Sequence, residues 1–330
     1  MKHVTFGRSG LRVSRLCLGT MTFGLQCDEA QSHAILDRAA ESGINFLDTA
    51  DVYPLGGDLT TVGRTEQIIG GWLKGKREQF ILATKCVGRM GPQLWNQGMS
   101  RKHIIEAIED SLRRLGTDYV DLYQLHGFDP ATPIDEALEA LDRIVQSGKV
   151  RYIGVSNWQA HRLARAIGRT ELKNLTRIAS VQPRYNLLFR TFERDLLPLC
   201  EEEGVAVIPY NPLAGGLLTG KHRSVNAPPE GSRFTLGNAA SLYQARYWHD
   251  RQFTAVETLN GIAKDAGISL TTLAVAWVLA NPAVTAPIIG ASRPDQLADS
   301  IAAVDTVLSP ELKARLDDTT VEWRAVDAER

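Results

Sequence analysis

Residues 45–53, Asn-Phe-Leu-Asp-Thr-Ala-Asp-Val-Tyr, carry a carboxylate and a phenol out of the end of an apolar run. Asp48 closes the run and Tyr53 follows on what reads as a short loop. Lys85 stands in the same way directly after the apolar stretch 80–84, and His126 directly after 119–125. A phenol, an ammonium, a carboxylate and an imidazole together suit the delivery of a proton to a carbonyl oxygen. A free phenol titrates near ~10, so it needs help near neutral pH. A nearby ammonium stabilises the phenolate, and a carboxylate keeps that ammonium charged and placed. The imidazole can hydrogen-bond the same oxygen, where reduction concentrates negative charge. Singly, each residue has a plainer reading: Asp48 as a helix cap or turn former, Tyr53 as packing, Lys85 as an exposed strand-end cation. Their recurrence at strand ends outweighs those readings.

The elements that would bring them together follow from the rhythm of the chain. Short apolar runs at 16–19, 45–48, 80–84, 119–125, 152–155, 178–182, 205–209 and 286–289 alternate with helical patterns at 28–42, 65–73, 101–115, 133–147, 159–167, 192–203 and 253–266. Gly43, Gly148 and Gly204 end three of these helices in the manner of left-handed caps. Eight strand–helix units without a break in composition predict an α/β chain forming one (β/α)8 TIM barrel over residues 1–330. An N-terminal hairpin around Gly7-Arg8-Ser9-Gly10 would cap the barrel bottom, and extra helices at 270–280, 294–304 and 310–320 complete the C-terminal part. No G-x-G-x-x-G follows the first strand, which argues against a doubly wound sheet.

Barrel chemistry sits past the strand ends. That face would collect Thr20, Met21, Asp48, Lys85, His126, Ser156, Asn157, Gln182, Tyr210, Asn211 and Gly290. The helix after Ile289-Gly290-Ala291-Ser292-Arg293 reads equally as a phosphate site at a helix N-terminus and as a Pro-initiated helix capped by Ser292. Residues 217–248 lack periodicity, and their place after the seventh strand favours a lid.

Composition narrows the partners. With 37 basic and 38 acidic side chains the net charge is −1, which argues against nucleic-acid or membrane-surface binding driven by charge. The start has no signal-peptide core and no stretch reaches the ~18 apolar residues of a span, so a cytoplasmic protein is expected. Cys17, Cys27, Cys86 and Cys200 show no metal-ligand or disulfide spacing and are expected as buried thiols, with no metal.

These segments resemble the aldo-keto reductase family over essentially the whole chain. The resemblance is carried by residues 45–53, Ala83-Thr84-Lys85, Asp121-Leu122-Tyr123-Gln124-Leu125-His126, Gly154-Val155-Ser156-Asn157, Val181-Gln182 with Tyr185-Asn186, 209–221 and 289–296. Gly215-Gly216-Leu217-Leu218-Thr219-Gly220-Lys221 after strand seven is similar to the bacterial and potassium-channel-β-subunit-like branches. The resemblance implies NADPH, with NADH as the alternative, lying extended across the barrel mouth. It implies Tyr53 as proton donor in a tetrad with Asp48, Lys85 and His126. Cofactor contacts implied are Gly19, Thr20, Met21 and Asp48; Ser156, Asn157 and Gln182 on the carboxamide; and Tyr210 stacked on the nicotinamide. Asn211, Pro212, Leu213, Ala214, Gly215, Leu217, Lys221 and Arg233 would line the pyrophosphate side. Gly290, Ser292, Arg293, Gln296 and Asp299 would take the adenosine end, with the 2′-phosphate near Ser292 and Arg293.

Phe23, Trp95, Asn96, Phe128 and Trp158 lie on loops leaving the same face and are expected in the substrate pocket. The expected reaction is reversible reduction of a small-molecule aldehyde or ketone. One alternative is a cofactor-sensing module, like channel-associated family members, with incidental turnover. Another is a Schiff-base lyase with Lys85 as nucleophile.

Overall fold

The computed structural model describes residues 1–223 and 225–325. Strands β1 (His3–Thr5) and β2 (Arg12–Ser14) pair antiparallel as a hairpin. Eight parallel strands follow: β3 (Cys17–Gly19), β4 (Phe46–Asp48), β5 (Ile81–Cys86), β6 (Val120–Leu125), β7 (Val150–Ser156), β8 (Ile178–Gln182), β9 (Ala206–Val207) and β10 (Ile288–Ile289). They are ordered β10-β3-β4-β5-β6-β7-β8-β9. The circle closes where Thr285 N–H donates to Val207 O at 2.8 Å and Ile288 N–H to Pro209 O at 2.8 Å. The expected (β/α)8 barrel is therefore present. Strands seven and eight are shorter than their apolar runs suggest, because few of their residues make ladder bonds.

Around the barrel run α1 (Glu29–Glu41), α2 (Arg64–Leu73), α3 (Arg101–Leu115), α4 (Ile134–Gln146), α5 (Ala160–Leu172) and α6 (Leu196–Glu203). Then come α7 (Ala240–Tyr247), α8 (Asp250–Asp265), α9 (Leu270–Leu279), α10 (Leu297–Ala302) and α11 (Pro310–Thr319). Local sequence explains their ends: Asp28 caps α1 through Gln31 N–H, Ser100 caps α3 through His103 N–H, and Gly204 closes α6 at φ 62°. Gly43 and Gly148 also take positive φ, at 79° each. Among the described residues no single helix is long and apolar enough to cross a membrane.

Two apolar layers position the chemistry. Leu47, Leu82, Tyr123, Leu125, Val155 and Val181 face outward against the helices. Phe6, Val13, Cys17, Phe46, Ala83, Leu122, Ala206, Ile208, Ala286 and Ile288 fill the barrel interior. Phe6 brings the hairpin into that interior, edge-on to Phe46 at 5.8 Å, so the hairpin plugs the bottom as expected. All four cysteines are buried.

Residues 217–248 differ from the structureless loop that their lack of periodicity suggests. They contain the turns Arg233–Thr235 and Gly237–Ala239 and helix α7. The helix pattern at 294–304 is likewise broken into a 3-10 turn, Pro294–Gln296, followed by the six residues of α10. The segment 229–248 is strapped across the barrel mouth. Gln26 Nε2 donates to Gly231 O at 2.9 Å, and Asn238 donates through its backbone to Gly56 O at 3.2 Å and through Nδ2 to Gly57 O at 3.1 Å. Gly237 has to be glycine, since its φ is 45° and a Cβ would lie 2.1 Å from Gly56 O.

Candidate active site

The period of two along a strand places the polar residues. Asp48 lies two residues beyond the interior Phe46, Lys85 two beyond Ala83, and Gln124 two beyond Leu122. The barrel interior thus changes from apolar to polar toward its C-terminal mouth. Register aligns the change: Ala83 pairs with Asp48, Gln124 with Lys85, and Gln182 with Ser156. Gly154 keeps this layer open, since a Cβ there would lie 2.3 Å from Ser180 Oγ and 3.2 Å from Gln124 Cγ.

Lys85 is fully buried, and its Nζ donates to Asp48 Oδ2 at 2.6 Å, to Thr49 O at 2.8 Å and to Tyr53 Oη at 3.4 Å. The other oxygen of Asp48 accepts from Gln182 Nε2 at 2.8 Å and Gln124 Nε2 at 3.1 Å. Burial works against the Lys85 charge, but Asp48 and Tyr53 outweigh it and raise the ammonium above its ordinary range. Tyr53 departs from the expectation of an acidified phenol. Burial pushes its hydroxyl up, and the opposing pull of Lys85 offsets only part of that shift. The phenol is therefore protonated at neutral pH and has a proton to give. His126 packs edge-on to Tyr53 at 5.7 Å between ring centroids. Burial first and Lys85 second push its imidazole down to about 3, so it is neutral.

A cleft of about 1030 Å³ runs from this cluster over the strand ends. Asp48, Tyr53, His126, Ser156, Asn157, Gln182 and Tyr210 line it at one end. Gly19, Thr20, Met21, Asn211, Pro212, Leu213, Gly215, Lys221 and Arg233 line its length, and Gly290, Ser292, Arg293, Gln296 and Asp299 its far end. Asn157 is held at φ 60°, its Oδ1 accepting from Tyr210 Oη at 2.8 Å. Gln296 Oε1 accepts from Ser292 N at 2.9 Å, and Arg293 Nε lies 3.2 Å from Asp295 Oδ1.

Several expectations need correction. Ala214 and Leu217 are fully buried in the core and do not line the cleft. Phe23 and Trp158 have no exposed surface, so they form no pocket wall. Phe128 packs edge-on to Trp158 at 5.1 Å and carries the Arg162 guanidinium on its ring. Trp95 is half exposed, and Asn96 closes its own turn by accepting from Gln93 N at 3.1 Å. Neither borders the cleft. Sequence reasoning passed over Gln124, Leu55, Leu242, Tyr243 and Arg246. The inward period of β6 signals Gln124, while Leu55 in the loop after β4 and the three strap residues carry no periodic signal.

The cleft fits a long anionic cofactor. Asn211 Nδ2, Ser232 Oγ and Arg233 Nη1, on residues that line it, are buried without partners among the described residues. Lys221 is lowered by burial and by the neighbouring Arg293 and Arg233 cations, a concentration of positive charge that an anion relieves.

A barrel with a buried phenol–ammonium–carboxylate cluster at its mouth, opening into a cation-lined cleft, is the architecture of an oxidoreductase that works on carbonyl groups. The aldo/keto reductase family model matches residues 15–320, and the chain belongs to that family of NAD(P)H-dependent oxidoreductases. It is 41% identical over 326 residues, 96% of this chain and 95% of the other, to the uncharacterized oxidoreductase YrpG of Bacillus subtilis. It is 36% identical to a probable voltage-gated potassium channel subunit beta of Oryza sativa, covering 96% of each chain. It is 37% identical to the protein tas of Escherichia coli, covering 96% of this chain and 97% of that one.

Proposed function

We propose that the protein is a single-domain reductase that uses NADPH in preference to NADH to convert an aldehyde or ketone reversibly into its alcohol. The observation that carries this reading is the placement of Lys85 Nζ between Asp48 Oδ2 and Tyr53 Oη, buried at the head of the cleft. Bound NADPH would supply the hydride to the carbonyl carbon. The remaining work falls to the chain's own side chains. Tyr53 gives its proton to the carbonyl oxygen, and Lys85 stabilises the phenolate left behind. Asp48 holds Lys85 charged, while Gln124 and Gln182 fix the second Asp48 oxygen and so its orientation. His126, neutral, donates a hydrogen bond to the same substrate oxygen.

Ser156, Asn157 and Gln182 would hold the carboxamide and Tyr210 the nicotinamide face. Asn211, Ser232, Arg233 and Lys221 would take the pyrophosphate, with Ser292, Arg293 and Gln296 at the adenosine phosphate. Arg293 already has Asp295 beside it, which moderates its pull on a 2′-phosphate. A Schiff-base role for Lys85 is disfavoured, since its ammonium is charged, fully buried and bonded three ways.

Titration with NADPH and NADH, followed by Trp fluorescence, and then consumption of the reduced nicotinamide with a panel of aldehydes and ketones, tests the proposal. Tighter NADPH binding with rapid consumption is expected. The similarity to proteins named as potassium channel subunits favours one second reading, a cofactor sensor, for which tight binding without consumption by any carbonyl compound would speak.

A further inference from the structure

Helix α7 turns one face into the cleft, where Leu242, Tyr243 and Arg246 all line the wall. Tyr243 is buried against Gly215, where a Cβ would lie 2.7 Å from its ring, and its hydroxyl is 3.4 Å from Asn211 Oδ1. Arg246 follows one turn on. Its Nε is buried without a partner, and no ion pair among the described residues includes it. Among the described residues three carboxylates line the cleft; Asp48 is committed to Lys85, and neither Glu230 nor Asp299 pairs with Arg246.

Lys221 is acted on by Arg293 and Arg233, and the Arg233 guanidinium lies 5.5 Å from the Tyr243 ring, at the middle of the cleft. Arg246 acts on Tyr210, at the reacting end. The Tyr210 phenol, pushed up to about 12 by burial, is pulled back first by Arg246 and then by Arg184. Tyr243, on the same helix face, is close enough to Tyr53 to act on its phenol. An unneutralised guanidinium in a part-buried wall is unfavourable until an anion arrives, and its planar fork matches a carboxylate.

We propose that Arg246 is a specificity-determining residue that receives the carboxylate of an anionic substrate, a carbonyl compound bearing an acid group. The inference rests on the reductase reading above. Leu242 and Leu55, which also line the cleft, leave room for an apolar body between carbonyl and acid. The competing source of an anion at this place is the cofactor's own pyrophosphate.

The test compares 4-carboxybenzaldehyde with 4-methylbenzaldehyde in the wild-type protein, Arg246→Leu and Arg246→Lys, with the NADPH Kd measured for each. The wild type is expected to favour the acid about tenfold in kcat/KM, as one charged contact worth a factor of ten would give, and benzoate should compete with the aldehyde. Arg246→Leu should abolish that preference through the KM of the acid, and Arg246→Lys should restore part of it. An absent preference in the wild type, with the methyl compound turned over, would overturn the inference and leave the reductase reading intact. A loss of NADPH affinity with an equal loss for both aldehydes would overturn it too, assigning Arg246 to the pyrophosphate. If neither aldehyde nor any other carbonyl compound is consumed, the reductase reading falls and the inference with it.

Discussion

Lys85 and Asp48 form an ion pair of 2.6 Å in which neither side chain is exposed by more than 3%. Such a pair is held by geometry as much as by charge, because both partners have left water and must find every hydrogen bond inside the protein. Here they do. The ammonium has three acceptors, and the carboxylate has the lysine and two glutamine amides. The arrangement fixes Tyr53 Oη beside a charge whose partner cannot drift.

Breaking the pair should therefore be costly in two ways. Asp48→Asn leaves a buried ammonium without its counter-charge, and removing one partner of such a pair destabilises by about 3 kcal/mol or more. Urea unfolding should show that loss, and carbonyl reduction should fall with it. A variant that unfolds within about 1 kcal/mol of the wild type would mean that the pair does not hold the mouth together.

Asp51 presents the opposite case. It is fully buried, and neither of its oxygens has a hydrogen-bond partner among the described residues. Burial first, and then the nearby Glu66, raise its carboxyl well above the ordinary 3.8, so the folded protein holds this proton to higher pH than the unfolded chain does. Glu66 is itself fixed by Thr84 Oγ1 at 2.6 Å and Arg114 Nε at 2.6 Å. The sign follows from linkage: the unfolded chain releases this proton near 3.8 while the folded chain keeps it, so stability is lost as pH rises above that value. Asp51→Asn cannot ionise in either state. Its Tm relative to wild type should rise between pH 5 and pH 8, and a pH-independent offset would contradict the assignment.

How much of this was legible in the chain depends on the kind of signal. The barrel was, because eight apolar runs alternate with helices whose caps are local: Asp28, Ser100 and the glycines at 43, 148 and 204. The cluster was legible because Asp48 ends β4 and His126 follows β6, while Lys85, expected just past its strand, is the penultimate residue of a β5 that runs on to Cys86; the barrel turns position along a strand into position in space. Gln124 has the same inward period but lies inside β6, and only the register shows it reaching Asp48. The substrate side was not legible. Aromatic type does not distinguish Trp158, sealed in the core, from Tyr243, which faces the cleft, because that depends on how the strap crosses the mouth.

The strap gives a pH prediction of its own. His222 is 7% exposed and packs edge-on to Phe234 at 5.5 Å and Trp248 at 5.3 Å. Burial, with a smaller push from Lys221, lowers its imidazole from 6.5 to about 4. The unfolded chain binds the proton first as the solution is acidified, so the stabilisation is full above pH 6.5 and is lost on the way down to about 4. At pH 5 this amounts to something on the order of 1–2 kcal/mol. His222→Leu should flatten the fall in Tm between pH 7 and pH 5, and an unchanged slope would show that the strap does not shield the ring.

Whether Tyr53 supplies the proton is read most directly from Tyr53→Phe, measured at saturating NADPH with the best carbonyl compound from the panel. Its kcat should fall by about 10²–10⁴-fold, the usual contribution of a positioned general acid, with the NADPH Kd within about twofold of wild type, a difference of roughly 0.4 kcal/mol. A kcat within a few-fold of wild type would contradict that role and remove the phenol from the reaction.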